Sequence, residues 1–185
     1  MKNLKKYILI ALAVLFTNLS FAQKNLNPIQ EIPCSTYTPD TEMDTFVGNW
    51  KWTSGNDSFE ILLKKEKVFH SISNDHSCVD RIIGFHQYVK NGTIIESSLQ
   101  HQNTNFAENL MSIYGYIVAP NQILWAGVDI LSNGNHVKME LEYIDANHVK
   151  IKPLNTYPGT KLYLPGQTIP SSEITLPQDI ILIKQ

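Results

Sequence analysis

Two cysteines in 185 residues are too few to frame a small fold built on disulfides. Beyond the N-terminus no apolar run is long enough to cross a bilayer as a helix, which excludes a polytopic helical membrane protein. Neither sign of charge dominates. With 17% charged and 43% hydrophobic residues and a net charge of −2, the chain lacks the composition of a disordered protein. Convincing helical periodicity is missing too; residues 104–113 come nearest, as a short helix. There are no internal repeats and no low-complexity tracts. The motifs of common chemistry are also absent: no His-Glu-x-x-His, no Gly-x-Ser-x-Gly, no phosphate loop and no Cys-x-x-Cys.

What is present begins with an address. Lys2, Lys5 and Lys6 precede the apolar stretch Tyr7 to Phe16, and Ser20-Phe21-Ala22 fits a small-x-small cleavage site. Residues 1–22 are therefore expected to be a signal peptide, with Gln23 as the new N-terminus. The apolar stretch is interrupted at Thr17-Asn18 and is too short for a membrane anchor, so no transmembrane segment is expected after cleavage. The first cysteine, Cys34, lies too far downstream to carry a lipid. The expectation is an exported, non-lipidated protein of the periplasm or the extracellular medium. Cleavage removes three lysines and no acid, leaving 12 basic and 17 acidic residues. Such a surface has no electrostatic reason to bind nucleic acid or anionic lipid. Export also permits oxidation of Cys34 with Cys78, the alternative being two free thiols. In the chain-entropy model that bond contributes roughly 4 kcal/mol.

Residues 23–42, punctuated by Pro28, Pro33 and Pro39, read as an extended lead-in, and residues 43–185 as a single β domain. Short β-type runs succeed one another: Phe46 to Thr53, Phe59 to Val68, Arg81 to Lys90, Thr93 to Leu99, Met111 to Ala119, Ile123 to Leu131, His136 to Ile144, His148 to Lys152 and Ile180 to Lys184. Gly55-Asn56, Asn91-Gly92, Pro120-Asn121-Gln122, Ser132 to Asn135 and Asp145-Ala146-Asn147 separate them as turns, and Ser73 to Ser77 as a polar loop. Val137, Met139, Leu141 and Tyr143 alternate with Lys138, Glu140 and Glu142, the period of a strand with one dry face. Residues 153–178 hold five prolines and read as a long loop with a short run near Leu162 to Leu164. The fold class is all-β: an antiparallel up-and-down meander of about eight to ten strands, closed into a barrel or, alternatively, folded as a β-sandwich.

Phe46-Val47-Gly48-Asn49-Trp50-Lys51 resembles the Gly-x-Trp opening strand of the calycin barrels, the lipocalins and fatty-acid-binding proteins. The resemblance implies that Trp50, following Gly48, closes one barrel end, with Lys184 from the last strand lying across its ring. That contact is worth roughly 0.5–2 kcal/mol. The sequence departs from the pattern in three places. A turn at Gly55-Asn56 stands where fatty-acid-binding proteins insert two helices. Their paired arginine and tyrosine for a carboxylate have no match, Arg81 being the single arginine. Residues 153–178 are too proline-rich for the lipocalin helix. The layout is also similar to a family of uncharacterised secreted proteins from the Bacteroidota, through Ala22-Gln23, Val47-Gly48-Asn49-Trp50-Lys51 and the tail Pro177-Gln178-Asp179-Ile180-Ile181-Leu182. That second resemblance implies no known activity.

A barrel of this kind sets the functional expectations. The first is a binding module whose interior takes a small apolar or amphiphilic ligand against inward Trp52, Phe85, Tyr114, Tyr116, Trp125, Met139 and Tyr143. Tyr114-Gly115-Tyr116 puts two aromatics on one strand face, suited to a cavity or a carbohydrate surface, though core packing is the commoner use. The alternative is a structural or protein-interaction domain of the envelope with a filled core. No enzyme, cofactor or metal site is expected. His76-x-Cys78-x-Asp80, with His70 and His86 nearby, matches no familiar metal spacing. Asp129, beside Trp125 and Gly127, is either inward-facing or a strand-end residue near the Ser132 turn. The oligomeric state is not legible.

Overall fold

Alternating apolar and polar residues draw most of the domain into strands, and their pairing closes on itself. A computed structural model describes residues 34, 36–72, 75–119, 122–156 and 172–185. The expected signal peptide, the lead-in before Cys34 and the run near Leu162 to Leu164 lie outside these residues. The strands are β1 (Thr36–Tyr37), β2 (Gly48–Ser54), β3 (Asp57–Ile72), β4 (Asp75–Lys90), β5 (Thr93–Ser97), β6 (Ile113–Ala119), β7 (Ile123–Ile130), β8 (Asn135–Asp145), β9 (His148–Ile151), β10 (Asn155–Thr156) and β11 (Ile180–Lys184). No α-helix occurs among the described residues. Residues 104–113 are not a helix: they hold a single 3-10 turn, Phe106–Glu108, capped by Asn105, whose side chain bonds the Glu108 amide.

Eight strands form a closed antiparallel barrel in the order β4-β3-β2-β11-β9-β8-β7-β6, and β6 returns to β4. Consecutive barrel strands are neighbours throughout, and the ring shuts where Lys184 of β11 sits opposite Trp50 of β2. Closure removes the free edges that an open sheet of this length would expose. This is the meander expected from the sequence, as a barrel consistent with the calycin-like architecture and not as a sandwich.

β3 and β4 run longer than their hydrophobic patterns suggested. They stay paired from Ser58 opposite Val89 down to Ile72 opposite Asp75, through residues that read as polar loop. Their backbone groups are satisfied by each other, so the ladder does not need an apolar face to continue. Three segments share the other edge of β4: β1 at Ser77 and Cys78, β6 at Ile82 to Gly84, and β5 at Gln87 to Lys90. β1 is fixed there by the Cys34–Cys78 disulfide, with Cα atoms 5.5 Å apart. The Tyr37 hydroxyl and the Asp40 amide both donate to the buried Asp80 carboxylate, at 2.9 and 2.8 Å.

From there the chain crosses to one barrel end, where a 3-10 helix, Glu42–Phe46, pushes Met43 and Phe46 inward as a plug. Trp50 is fully buried beneath it and donates its indole N–H to the Phe46 carbonyl at 2.8 Å. Phe46 meets Tyr143 edge-on at 6.2 Å. Lys184 Nζ stands 5.0 Å from the centre of the Trp50 ring. Gly48 has φ +142°, and a Cβ there would come within 2.9 Å of Lys184 Cε. The glycine is thus required twice, for its backbone and for the lysine stem crossing it.

Inside, Phe59, Ile61, Leu63, Ile82, Ile113, Leu124, Met139, Leu141 and Leu182 form one continuous core. Added methyl groups at the two inward glycines would strike neighbours: Leu63 Cδ2 at 2.6 Å from Gly84, and Ile82 Cβ and Leu124 Cδ1 at 3.0 Å from Gly115. The interior beside these glycines is occupied by the protein's own side chains.

Candidate functional site

The strand faces reassign most of the aromatic residues expected inside. Trp52, Met139 and Tyr143 do point inward and pack on the core, Trp52 and Tyr143 near its ends. Phe85, Tyr114, Tyr116 and Trp125 point outward. Phe85 sits opposite Leu62, between the inward Gly84 and His86; Tyr114 sits opposite Gly127; and Trp125 lies between the inward Leu124 and Ala126. Lys138 Nζ covers the Trp125 ring at 4.6 Å on that outer surface. Phe85 is nonetheless buried, on the side of the barrel where Lys64, 5.3 Å from its ring centre, reaches residues 98–112 at the Thr104 carbonyl.

Those residues are an excursion from the edge of β4. The chain leaves at Ser98, whose amide donates to the His86 carbonyl, and rejoins at Ser112, whose amide donates to the Gly84 carbonyl. The two serine hydroxyls meet at 2.7 Å, so the ends are tied together as in an Ω-loop. The loop body is pinned to the outer face. Lys64 donates to the Thr104 carbonyl at 2.6 Å, the Phe106 amide donates to Glu66 at 2.8 Å, and Phe106 packs on Tyr114 with ring centres 5.7 Å apart.

Beneath the loop roots lies a buried polar chain. A β-bulge between Tyr88 and Val89 leaves Ile95 unpaired and turns Glu96 into the barrel, opposite Tyr88. There its Oε1 lies 2.7 Å from His86 Nε2, and its Oε2 accepts the Ser132 amide at 2.9 Å. His86 Nδ1 lies 2.7 Å from Ser112 Oγ, and the imidazole rests against Phe59. His86 is 0% and Glu96 6% exposed. Burial pushes the Glu96 carboxyl up, but the bonds from His86 and from the Ser132 hydroxyl and amide outweigh it and hold the group below the ordinary glutamate value. With Nε2–H donated to Glu96, Nδ1 accepts from Ser112, whose oxygen accepts from Ser98; every member is then satisfied.

Between the loop and the outer sheet opens a cleft of about 230 Å³. Phe106, Asn109 and Met111 line it from the loop, and Tyr114, Gly127, Asp129 and His136 from β6, β7 and β8. Gly127, buried and without a side chain, lies opposite Tyr114 in this lining. Asp129 faces outward, half exposed, and pairs across the strands with His136 at 2.6 Å. Of the two readings of Asp129, the inward one is excluded. Arg81 Nε donates to the Tyr114 hydroxyl at 3.0 Å and restrains the ring.

Near His76, Cys78 is in the disulfide and the Asp80 carboxylate accepts from Tyr37 and Asp40; among the described residues no group of three His, Cys, Asp or Glu side chains is placed to hold a metal ion. No helix among the described residues is long and apolar enough to cross a membrane. Sequence reasoning missed Glu96, Ser98, Phe106, Asn109, Met111 and His136. The loop between two hairpins carried the one signal available, since it was too long and polar for a simple turn.

These features define a class: a closed antiparallel β-barrel with a filled interior and a cleft built on its outside by a pinned loop. The chain belongs to the family of unknown function DUF6705, which it matches over residues 1–185. No curated protein and no solved structure matches it.

Proposed function

We propose that this protein is an exported binding module that takes a small amphiphilic ligand on the outside of its barrel, in the cleft between residues 98–112 and β6 to β8. One contrast carries the reading. The interior positions with no side chain of their own, Gly84 and Gly115, are crowded by neighbouring residues, whereas on the outer face the rings of Phe106 and Tyr114 and the polar Asn109, Asp129 and His136 border a cleft of about 230 Å³. At about 230 Å³ the cleft is smaller than the roughly 300–1,000 Å³ of drug-sized sites, which suits a ligand of one ring. The disulfide is compatible with an oxidising compartment and supports the export read from residues 1–22.

The module is not an enzyme on this reading. Ser112, His86 and Glu96 have the contacts of a nucleophile, base and acid, but Ser112 is 3% exposed and its hydroxyl is held between Ser98 and His86. Ser112 borders the cleft, but a nucleophile must reach a carbonyl, and this hydroxyl is engaged on both sides by the fold.

A fragment screen by NMR tests the placement. Bound fragments are expected to shift Tyr114, Gly127, Asp129 and His136. Shifts confined to Met139, Leu141 and the other interior residues would return the site to the barrel lumen. An envelope interaction domain is the second reading, favoured by Ile94 and Ile95, 60% and 42% exposed on β5, which among the described residues pairs with β4 alone. Fragments that shift neither region, with self-association lost in Ile94→Lys, would favour it.

A further inference from the structure

We propose that the ligand of the outer cleft is a saccharide, bound through one pyranose ring; this rests on the cleft being the site. Three rings follow one another along the loop and β6, and the first two, Phe106 and Tyr114, line the cleft. Phe106 and Tyr114 are 5.7 Å apart and tilted by 36°; Tyr114 and Tyr116 are 6.4 Å apart and tilted by 33°. Rings that cage an organic cation surround it and stand steeply to one another. Rings inclined by about a third of a right angle make a shallow platform instead. A flat, neutral body fits a platform, and its edge must satisfy what borders it.

The border is a carboxylate. Among the described residues Asp129 is the one acidic group lining the cleft, half exposed, and His136 already engages its Oδ1. A carboxylate accepts several hydrogen bonds, so it favours a ligand with adjacent donors. Neighbouring hydroxyls on a pyranose supply two such donors side by side. The C–H face of the same ring, weakly positive, lies on the negative face of an aromatic ring. The Tyr114 phenol oxygen already accepts from Arg81, which directs its own O–H outward as a donor. A nucleobase would match the platform but presents fewer adjacent donors to Asp129. An organic cation would match Asp129 but not the platform.

The test is titration of the purified, isotope-labelled protein, followed by NMR, with glucose, galactose, mannose, N-acetylglucosamine and their methyl glycosides. Tetramethylammonium, adenine and cyclohexanol are run in parallel. At least one sugar is expected to shift Tyr114, Gly127 and Asp129. Tyr114→Ala should weaken it about tenfold, the loss of one ring contact. Asp129→Asn should weaken it several-fold while leaving the melting curve in place, which keeps the test independent of any disturbance that Tyr114→Ala causes in the loop. Gly127→Val should block the cleft and abolish the shifts. If a control ligand shifts these residues and no sugar does, the cleft reading stands and the saccharide falls. If no ligand shifts them, both fall. Sugar binding that Asp129→Asn leaves unchanged would also overturn the proposed recognition.

Discussion

The end of the barrel at Trp50 and the wall at His86 are both buried completely, yet they are held by opposite physics. At the Trp50 end, Met43, Phe46, Trp50 and Tyr143 stack as apolar bulk; one indole hydrogen bond and one lysine at the rim orient the stack. At the His86 wall a charged group is buried, and it is tolerated because Glu96, His86, Ser98, Ser112 and Ser132 satisfy one another. Bulk without directional bonds tolerates rearrangement and is indifferent to pH. A satisfied polar chain fixes one geometry and fails when a member is changed. The contrast matches what each part does. The Trp50 end only has to close, whereas the His86 wall has to hold both roots of the loop that shapes the cleft.

Three substitutions probe these two modes of burial. Trp50→Ala should have the largest effect, a loss of about 3–5 kcal/mol in urea unfolding, because a large side chain is removed from a site with no exposure. The deficit should be the same at pH 7 and pH 4; a variant that melts like wild type would show that the plug does not hold the barrel shut. Glu96→Gln should cost about 2–3 kcal/mol at neutral pH, since it weakens charge-assisted bonds to His86 and Ser132. Here the sign with pH is defined. The Glu96 carboxyl is held below its ordinary value. Its contribution is therefore complete above the unfolded carboxyl pKa of about 4.3 and lost as pH falls through the lower folded value. The gap between wild type and variant should narrow as pH is lowered from 5 towards 3. A gap that stays constant would mean that Glu96 acts by shape and not by charge. Lys184→Met keeps the stem across Trp50 and removes the ammonium. It should cost least, about 0.5–1 kcal/mol, and the cost should shrink in high salt.

Parts of the site were within reach of the sequence. Trp125 shares its strand phase with Asp129, and Phe85 shares its phase with Arg81 and Gln87; charged or polar companions mark both faces as outer. Tyr114 and Tyr116 had no such companion. Along β6 both faces are apolar, so alternation shows which residues share a face but not which face is inside. Glu96 was harder still. In unbroken register it would oppose Gln87 on the outer face, and only the bulge at Ile95 brings it opposite Tyr88. Bulges of this kind recur at Tyr116 and Ile144, each shifting the register of the residues beyond it. The β3 and β4 extension was obscured for another reason: its ladder is sustained by backbone pairing through residues that read locally as loop.

Local patterning in the chain was enough to set the strands, most of their turns and their neighbour order, while the pairing of Trp50 with Lys184 at the seam was implied by the resemblance of the first strand to a calycin opening strand and not by periodicity. Period-two alternation and short connections are local properties, and a meander of short links leaves few ways to join its strands. Three outcomes arose only in the folded barrel: the outward facing of Tyr114 and Tyr116, the burial of Glu96 beside His86, and the conversion of a polar loop into the wall of a cleft. They depend on bulges that reverse strand faces and on contacts between residues far apart in the chain, and neither leaves a periodic trace in sequence.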